Sequence, residues 1–421
     1  MDRSVVGLGA TVASNPGSSS SPSVDLAGHA GPAVPRCGRH TGAHRSLDLH
    51  SLTTAEGDDC LCKLGSWVVA DVEPIVVGVL LDHEGSADTM IELAGMAVAD
   101  VVAEGRLDRP IRFVADSASG LPRGTAAAVE TAFARLVDAQ VLLVLGPAIT
   151  DNGLIVRDLA DAAHVPCINW TGSELTRSEW MFHYQVGSLE EEPHLLARYL
   201  HGQGHHSVVL VQDRSPIGER YGSFFEEAAA RTGIDVVAKI RVSPIVDDLG
   251  ATVERLRRHD SDALVYLGLG LSAHPLGAAL AAGDWHPAVV ANSALMYGYA
   301  NPEWRALWDG WTYVDAWSED NPRLQALLDR TRGSGRLGAA RPMSVASGYD
   351  MGRLVAEGAA GAAQLTRSGI KDALERLKLL PAALGTPDTQ MGFGRWDRGA
   401  LKGGYLVLRR WRDGESVPAE V

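Results

Sequence analysis

Apolar runs and amphipathic stretches alternate along the chain from residue 74 onward. The run Ile75–Leu81 is typical of a buried strand, and Asp88–Ala103 has the apolar period of a helix. Further strands are expected at Ile111–Ala115, Val141–Leu145 and Val165–Asn169, with helices between them. Short continuous apolar strands separated by helices are typical of a parallel sheet that is covered on both faces.

The same alternation starts again near residue 207. The expected strands and helices are, in order, Ser207–Gln212, Gly218–Thr232, Val236–Ile240, Asp248–His259, Ala263–Gly268, Ala273–Ala282 and Ala288–Ala291. Three helical stretches follow, and we expect Gly392–Trp396 and Tyr405–Trp411 to form a hairpin. The pattern therefore predicts an α/β fold with two doubly wound lobes. Ligands of such sheets bind beyond the carboxyl ends of the strands.

The first 70 residues differ from the rest in composition and in apolar patterning. Ser14–Ser23 reads SNPGSSSSPS and no apolar period persists, so we expect residues 1–70 to be a disordered leader, a targeting segment or a misassigned start. Val5–Ala13 is too short and glycine-broken to make a good secretory signal. The expected divisions beyond it are lobe I at residues 74–187 plus 318–380, lobe II at residues 188–317 plus 381–411, and a tail at 412–421.

Composition and charge exclude several classes of protein. The 421 residues are 46% hydrophobic and include no apolar run long enough to span a bilayer, which needs about 18 residues. The formal net charge is -14, and residues 1–70 hold only five basic and six acidic residues, so most of the acidity lies on the folded part. This balance opposes attraction to nucleic acid or to an anionic membrane surface. Four cysteines do not make a disulfide scaffold.

One cluster in the leader has the residue types of a metal site. Cys37, His40, His44, Cys60 and Cys62 could offer zinc ligands. No apolar scaffold surrounds them, so a flexible leader with incidental cysteines is the favoured interpretation, and we expect no metal.

One glycine-rich turn fits a nucleotide-binding pattern. Gly268–Ala273 reads G-x-G-x-x-A between a strand and a helix, which is the context of a pyrophosphate turn. No acidic residue ends the next strand, because Asp284 lies in a loop, so a nucleotide-dependent enzyme is a remote alternative. The chain has no G-x-S-x-G, G-x4-G-K-[ST] or H-E-x-x-H motif. We expect no catalytic residues, no cofactor and no enzymatic activity.

From residue 74 to 411 the order of motifs resembles the type I periplasmic substrate-binding proteins. The nearest group is the branched-chain (leucine/isoleucine/valine) amino-acid receptors of ABC transporters. The segments that carry the resemblance include IVVGVLL, VLLVLGPAITDN, AAHVPCINWTGSELT, VVLVQDRSPIGERYGSFFEEAAARTG, SGYDMGRLVAEGA and MGFGRWDRGALKGGYLVLRRW. The resemblance implies two Rossmann-like lobes joined by a three-segment hinge, with the ligand in the cleft between them and hinge closure around it.

The resemblance also implies a function and its partners. The expected role is capture of a small polar ligand, such as an amino acid, an amide or a related compound, by a monomer that delivers it to a membrane ABC permease. The expected location is the cell envelope or the outside of the cell. The alternative is a soluble cytoplasmic sensor of the same fold, which the missing lipobox before Cys60 favours. We expect no nucleic-acid partner.

Ligand-binding roles are carried over onto the loops that follow the strands. The candidate residues are Asp82, His83, Glu84, Thr150, Asp151, Asn169, Trp170, Thr171, Ser173, Ile217, Asn292 and Ser293. Thr150 stands where the family offers hydroxyls to the ligand carboxylate, although it could simply cap a helix that begins at Asp151. In the next loop, Thr171 and Ser173 are the candidate hydroxyl donors.

Three departures from the family affect the ligand. Ile217 replaces an aromatic residue, and a frequent pocket tyrosine aligns near Leu269–Leu271, where this chain has none. The acid that commonly meets the ligand's ammonium group falls near Asn292 or Ser293, which are neutral. A desolvated ammonium without a partner is costly, so a branched-chain amino acid is disfavoured. Asp82 and Glu84 could compensate, together with Trp170, as a cation-friendly wall. The alternative is that both acids are solvated loop charges.

Overall fold

The computed structural model describes residues 73–85, 87–121 and 123–420. The predicted leader and its cluster of cysteines and histidines lie outside these residues. Within them, no helix is long and apolar enough to cross a membrane. The same residues contain no group of three or more His, Cys, Asp or Glu side chains placed to hold a metal ion.

The first lobe is built on a parallel five-stranded sheet. Its strands are β1 (Ile75–Leu81), β2 (Ile111–Ser117), β3 (Leu143–Leu145), β4 (Cys167–Asn169) and β5 (Met181–His183). They lie in the order β2-β1-β3-β4-β5. The helices that follow the first three strands are α1 (Asp88–Ala103), α2 (Ala126–Asp138) and α3 (Thr150–Ala163). One apolar cluster covers each face of the sheet, as the strand pattern predicts.

The second lobe repeats this plan. Its parallel strands are β6 (Ser207–Asp213), β7 (Asp235–Val242), β8 (Ala263–Leu267), β9 (Ala288–Ala291) and β10 (Thr312–Asp315). Their order is β7-β6-β8-β9-β10, so β6 and β8 pair as β1 and β3 do in the first lobe. The helices of this lobe are α4 (Glu192–Gly202), α5 (Pro216–Thr232), α6 (Gly250–Leu256) and α7 (Ala273–Ala282). Two apolar clusters again cover the two faces.

The last hundred residues contribute to both lobes. The helices are α8 (Pro322–Thr331), α9 (Gly335–Gly338), α10 (Pro342–Ala360) and α11 (Arg367–Arg376), and a small antiparallel sheet joins β11 (Leu380–Pro381), β12 (Gln390–Met391) and β13 (Leu401–Lys402). Residues of α10, β12 and β13 belong to an apolar cluster of the first lobe. The final strands β14 (Val407–Arg412) and β15 (Glu415–Pro418) extend the second sheet beside β10.

Three expectations for the C-terminal region are wrong. Gly392–Trp396 and Tyr405–Trp411 do not form a hairpin, because β14 pairs with β10 and β15, whereas β12 pairs with β13. Residues 412–421, expected to be a tail, include β15, which covers the outer edge of β14. Residues 381–402, expected in lobe II, pack with the first lobe. The local pattern showed strand-forming segments but not which partner each would find.

The chain passes between the lobes three times, at residues 184–191, 316–321 and 403–406. The segment after β11 holds these passages in place. Asp350 on α10 accepts hydrogen bonds from the amides of Ala383 and Leu384, at 2.9 and 3.1 Å, and from the hydroxyl of Tyr184. The amide of Gly385 donates to Ala316 O at 2.8 Å. The three passages, held by these bonds, form a three-segment hinge, as the resemblance implies.

Helices α1 and α10 approach so closely that one glycine is required between them. A Cβ on Gly352 would lie 2.5 Å from Ala94 O, a backbone atom that cannot move aside. Gly95, in contrast, has open space around its Cα.

We therefore expect opposite effects from two matched substitutions. Gly352→Ala should lower the free energy of unfolding by about 1–3 kcal/mol, because the methyl group forces the helices apart. Gly95→Ala should raise it by about 0.5–1 kcal/mol, since alanine loses less backbone freedom than glycine in a helix. Urea denaturation of the three proteins measures both effects, and equal stability of the two variants would contradict the close approach.

Candidate ligand-binding cleft

Asp82 follows β1 and holds the loop that leads into α3. Its carboxylate accepts hydrogen bonds from the amides of Ala148 and Ile149, at 2.7 and 3.2 Å, and from Asn152 Nδ2 at 2.7 Å. The side chain is buried, and desolvation raises its pKa. The expectation that Asp82 is either an open cleft wall or a solvated charge is therefore corrected, because its oxygens are already bound inside the lobe.

The neighbouring candidates have different surroundings. His83 and Glu84 are exposed. Helix α3 begins at Thr150 with Ile149 as its cap residue, so the interpretation of Thr150 as an N-cap is wrong. Thr150 and Asp151 occupy the first turn of α3, and both are partly exposed. Desolvation raises the pKa of Asp151, and its carboxylate has no hydrogen-bond or ion-pair partner among the described residues.

The loop after β4 is held by buried hydrogen bonds. Asn169 Oδ1 accepts from the amide and the hydroxyl of Thr171, at 3.1 and 2.8 Å, and from the Thr176 hydroxyl at 3.2 Å. Both Asn169 and Thr171 are completely buried, and their polar atoms are engaged inside the lobe. Trp170 lies between them, partly exposed, and packs on the edge of the lobe's apolar core.

Ser173 links this loop to the first passage between the lobes. Its hydroxyl donates to Glu190 at 3.1 Å, and Glu190 lies 3.5 Å from Arg220 on α5. Burial and the nearby carboxylate of Glu174 raise the pKa of Glu190. The carboxylate of Glu190, in the hinge, thus contacts a residue of each lobe.

Asp213 has in the second lobe the position that Asp82 has in the first. It ends β6, and its carboxylate accepts from the amide of Leu269 at 2.7 Å and from the hydroxyl of Ser272, at the start of α7. A Cβ on Gly268 would collide with this carboxylate. The turn that fits G-x-G-x-x-A is therefore closed by an acidic side chain, which repels the pyrophosphate that the remote alternative requires.

The loop after β9 is organised by a carboxylate from another element. Asn292 is buried and pairs with the backbone of Gly268, donating to its carbonyl at 2.9 Å. Glu192, fully buried at the start of α4, accepts from the amide of Ser293 at 2.7 Å and from its hydroxyl at 2.9 Å. Glu192 also accepts from the amide of Ser188 and the hydroxyl of Tyr221. Burial raises its pKa to about 7.

Ile217 completes the predicted set. It lies in the first turn of α5, partly buried, against the apolar cluster of the second lobe. The predicted residues thus follow β1, β3 and β4 in one lobe and β6 and β9 in the other, all at the carboxyl edges of the sheets. Ligand binding by these residues stays a prediction.

Sequence reasoning missed four residues of this region: Glu190, Glu192, Asp213 and Ser272. Asp213 could have been found from the expectation that loops after strands bind ligands, because it directly follows the predicted strand Ser207–Gln212. Ser272 lies inside the glycine-rich turn that the sequence singled out. Glu190 and Glu192 belong to a run of three glutamates, which reads as a solvated surface and gives no sign that one member is buried.

Comparison with known proteins supports this architecture. Residues 74–407 match the sequence profile of a family described as periplasmic binding protein, and the chain belongs to that family. Its members bind solutes, so the chain is a binding protein and not an enzyme, as expected. No curated protein sequence matches the chain.

Solved structures share the fold at low identity. The branched-chain amino acid transporter substrate binding protein LivJ from Streptococcus pneumoniae, in complex with isoleucine, is 21% identical with a TM-score of 0.69, over 83% of this chain and 99% of that one. An ABC transporter substrate-binding protein from Desulfitobacterium hafniense in complex with Leu is 18% identical with a TM-score of 0.68, over 82% and 100%. The leucine binding protein LivK from Thermotoga maritima is 15% identical with a TM-score of 0.66, over 82% and 98%.

The buried Glu192 predicts a pH-dependent stability. Its pKa is about 7 in the folded protein against an ordinary value of 4.5, so between these pH values the folded state holds a proton that the unfolded state has lost. The contribution of Glu192 to the free energy of unfolding is therefore largest at acidic pH and falls as pH rises toward 7. Glu192→Gln removes this contribution.

Urea denaturation of the wild type and Glu192→Gln from pH 5 to 8.5 measures the effect. The stability of the wild type relative to the variant should decline up to about pH 7 and then level off. Glu227→Gln, which removes an exposed carboxylate of α5, is the matched control. A constant difference between wild type and Glu192→Gln would contradict the buried, uncompensated charge.

Proposed function

We propose that this protein captures a small polar solute in the cleft between its lobes and delivers it to an ABC permease, in the cell envelope or outside the cell. The solute class is an amino acid, an amide or a related compound. The observation that supports this most directly is the family match over residues 74–407, together with two lobes joined by three chain passages. The solved relatives named above are transporter components, and two of them were solved with isoleucine or leucine.

The arrangement of the site supports binding by closure. The carboxyl edges of the two sheets carry the loops that family members close around a ligand, and hinge closure between lobes is an established binding motion. We infer that Thr150, Asp151, Trp170 and Ser173 form the first-lobe wall of the site. The fully engaged side chains of Asp82, Asn169 and Thr171 position that wall, and His83 and Glu84 lie at its rim.

The residues of the second-lobe wall are inferred in the same way, from their exposure beyond the strands. We infer that Ile217 and Ser293 line it, because both are partly exposed in the segments that follow β6 and β9. Asn292 is buried and keeps the glycine turn at Gly268 in place. No lysine or arginine is among the candidates on either wall.

Ligand binding should change the fluorescence of Trp170, because closure removes water from its partly exposed ring. We expect Trp170→Phe to lose most of the ligand-induced change in emission. Trp396→Phe should keep it, since Trp396 is 88% exposed on the loop between β12 and β13. An unchanged fluorescence response in Trp170→Phe would show that this side chain is not part of the site.

The function itself is tested by a thermal-shift panel of amino acids, amides, amines, short peptides and sugars on the full chain. At least one compound should raise the melting temperature, and small-angle scattering with that compound should show a smaller radius of gyration as the lobes close. If no compound stabilises the protein and none changes its dimensions, the proposed function is wrong.

A further inference from the structure

Several donors at which the cleft could receive a ligand carboxylate are already occupied by the protein's own carboxylates. Backbone amides at helix starts and strand ends are ready donors to an anion. Asp82 takes those of Ala148 and Ile149, and Asp213 takes that of Leu269. These two sites are related by the repeat of the fold, so both sheets present an acidic group where an open anion site would otherwise stand.

A third carboxylate does the same at the hinge. Glu192 accepts from the amide and the hydroxyl of Ser293, which are the donors that the loop after β9 could offer a ligand. The donors of Ser293 in the second-lobe wall are therefore engaged as well.

These three carboxylates, of which Glu192 is only partly ionised near pH 7, have no compensating cation in the part of the chain that the structure describes. Within the part of the chain that the structure describes, none of Asp82, Asp213 and Glu192 forms an ion pair with lysine or arginine. Each is at least 95% buried, and burial raises the pKa of each. Asp151, in the first turn of α3, adds a carboxylate that has no partner among the described residues. A closed, dry cleft strengthens the field of such charges, because the effective dielectric falls.

The positive groups nearby are fewer and partly engaged. Arg220 lies 3.5 Å from Glu190 and over the ring of Phe224. Arg341, before α10, lies over the ring of Tyr299, and Arg214, after β6, is exposed. Neither Arg341 nor Arg214 forms an ion pair among the described residues, so both are available to a ligand carboxylate that reaches them.

We propose that the cleft selects organic cations that lack a carboxylate, such as primary amines and amino-acid amides, over α-amino acids. This inference rests on the proposed function, since it requires that the cleft is the binding site. A ligand ammonium is attracted by the buried carboxylates and by the face of Trp170. A ligand carboxylate meets acidic groups and finds several of the donors occupied, so its lost hydration is only partly replaced.

Isothermal titration calorimetry with matched ligand series tests the selection. Leucine, phenylalanine and alanine are each compared with their amide and with the corresponding decarboxylated amine, and 4-methylpentanoate represents the carboxylate alone. In at least one series the amide and the amine should bind at least about tenfold more tightly than the amino acid. The carboxylate alone should not bind.

The outcomes separate this inference from the proposed function. An amino acid that binds as tightly as its amide, and loses affinity in Arg341→Gln, would overturn the inference and leave the proposed function standing. A neutral or anionic ligand from the broader panel that closes the lobes would do the same. If no compound of any class binds, the proposed function fails first.

Two variants test the electrostatic origin of the selection. Asp151→Asn should reduce the preference for amide over amino acid by about fivefold, the effect of one partly screened charge. Asp158→Asn, which removes an exposed carboxylate two turns further along α3, is the matched control and should leave the preference unchanged. Asp82→Asn should reduce the preference in the same direction as Asp151→Asn. If Asp82→Asn does not fold, Asp151→Asn alone makes the comparison, and an unchanged preference in the folded variants would overturn the inference.

Discussion

A carboxylate that leaves water must find hydrogen-bond donors, and this constraint shapes both lobes. Asp82 and Asp213 end equivalent strands, and each draws the loop after the neighbouring strand onto its oxygens. Glu192 and Asp350 do the same for the hinge passages and the segments beside them. Four buried acids thus set the positions of the loops from which the cleft is built.

The same constraint connects structure with function. A buried carboxylate that is satisfied by amides rather than by a cation has no positive charge beside it, and it occupies donors that a ligand anion would need. If the solute binds between the lobes as we propose, the cleft is acidic for a structural reason, since its loops are held by acids. A solute that binds there has to be electrostatically compatible with these carboxylates, whatever its side chain.

Much of the fold was predictable because parallel strands are buried on both faces. β1 and α1 have the predicted bounds, and most other elements differ from the prediction by a few residues at their ends. β5 was missed because three residues, Met181–His183, are too few to show a period. α4 was missed because it begins in a glutamate run, and the pairing of β14 was wrong because strand partners are set by contacts distant in sequence.

The sequence by itself determined the class of fold, the repeat of two lobes and the loops in which to look for a site. It did so because burial leaves a local signature of apolar spacing. Only the tertiary structure decided what the polar residues of those loops do. Asp82 and Asp213 could each have been a solvated charge or a ligand contact, and Glu192 looked like surface. Their roles depend on which amides the fold brings within 3 Å, and no local pattern records that distance.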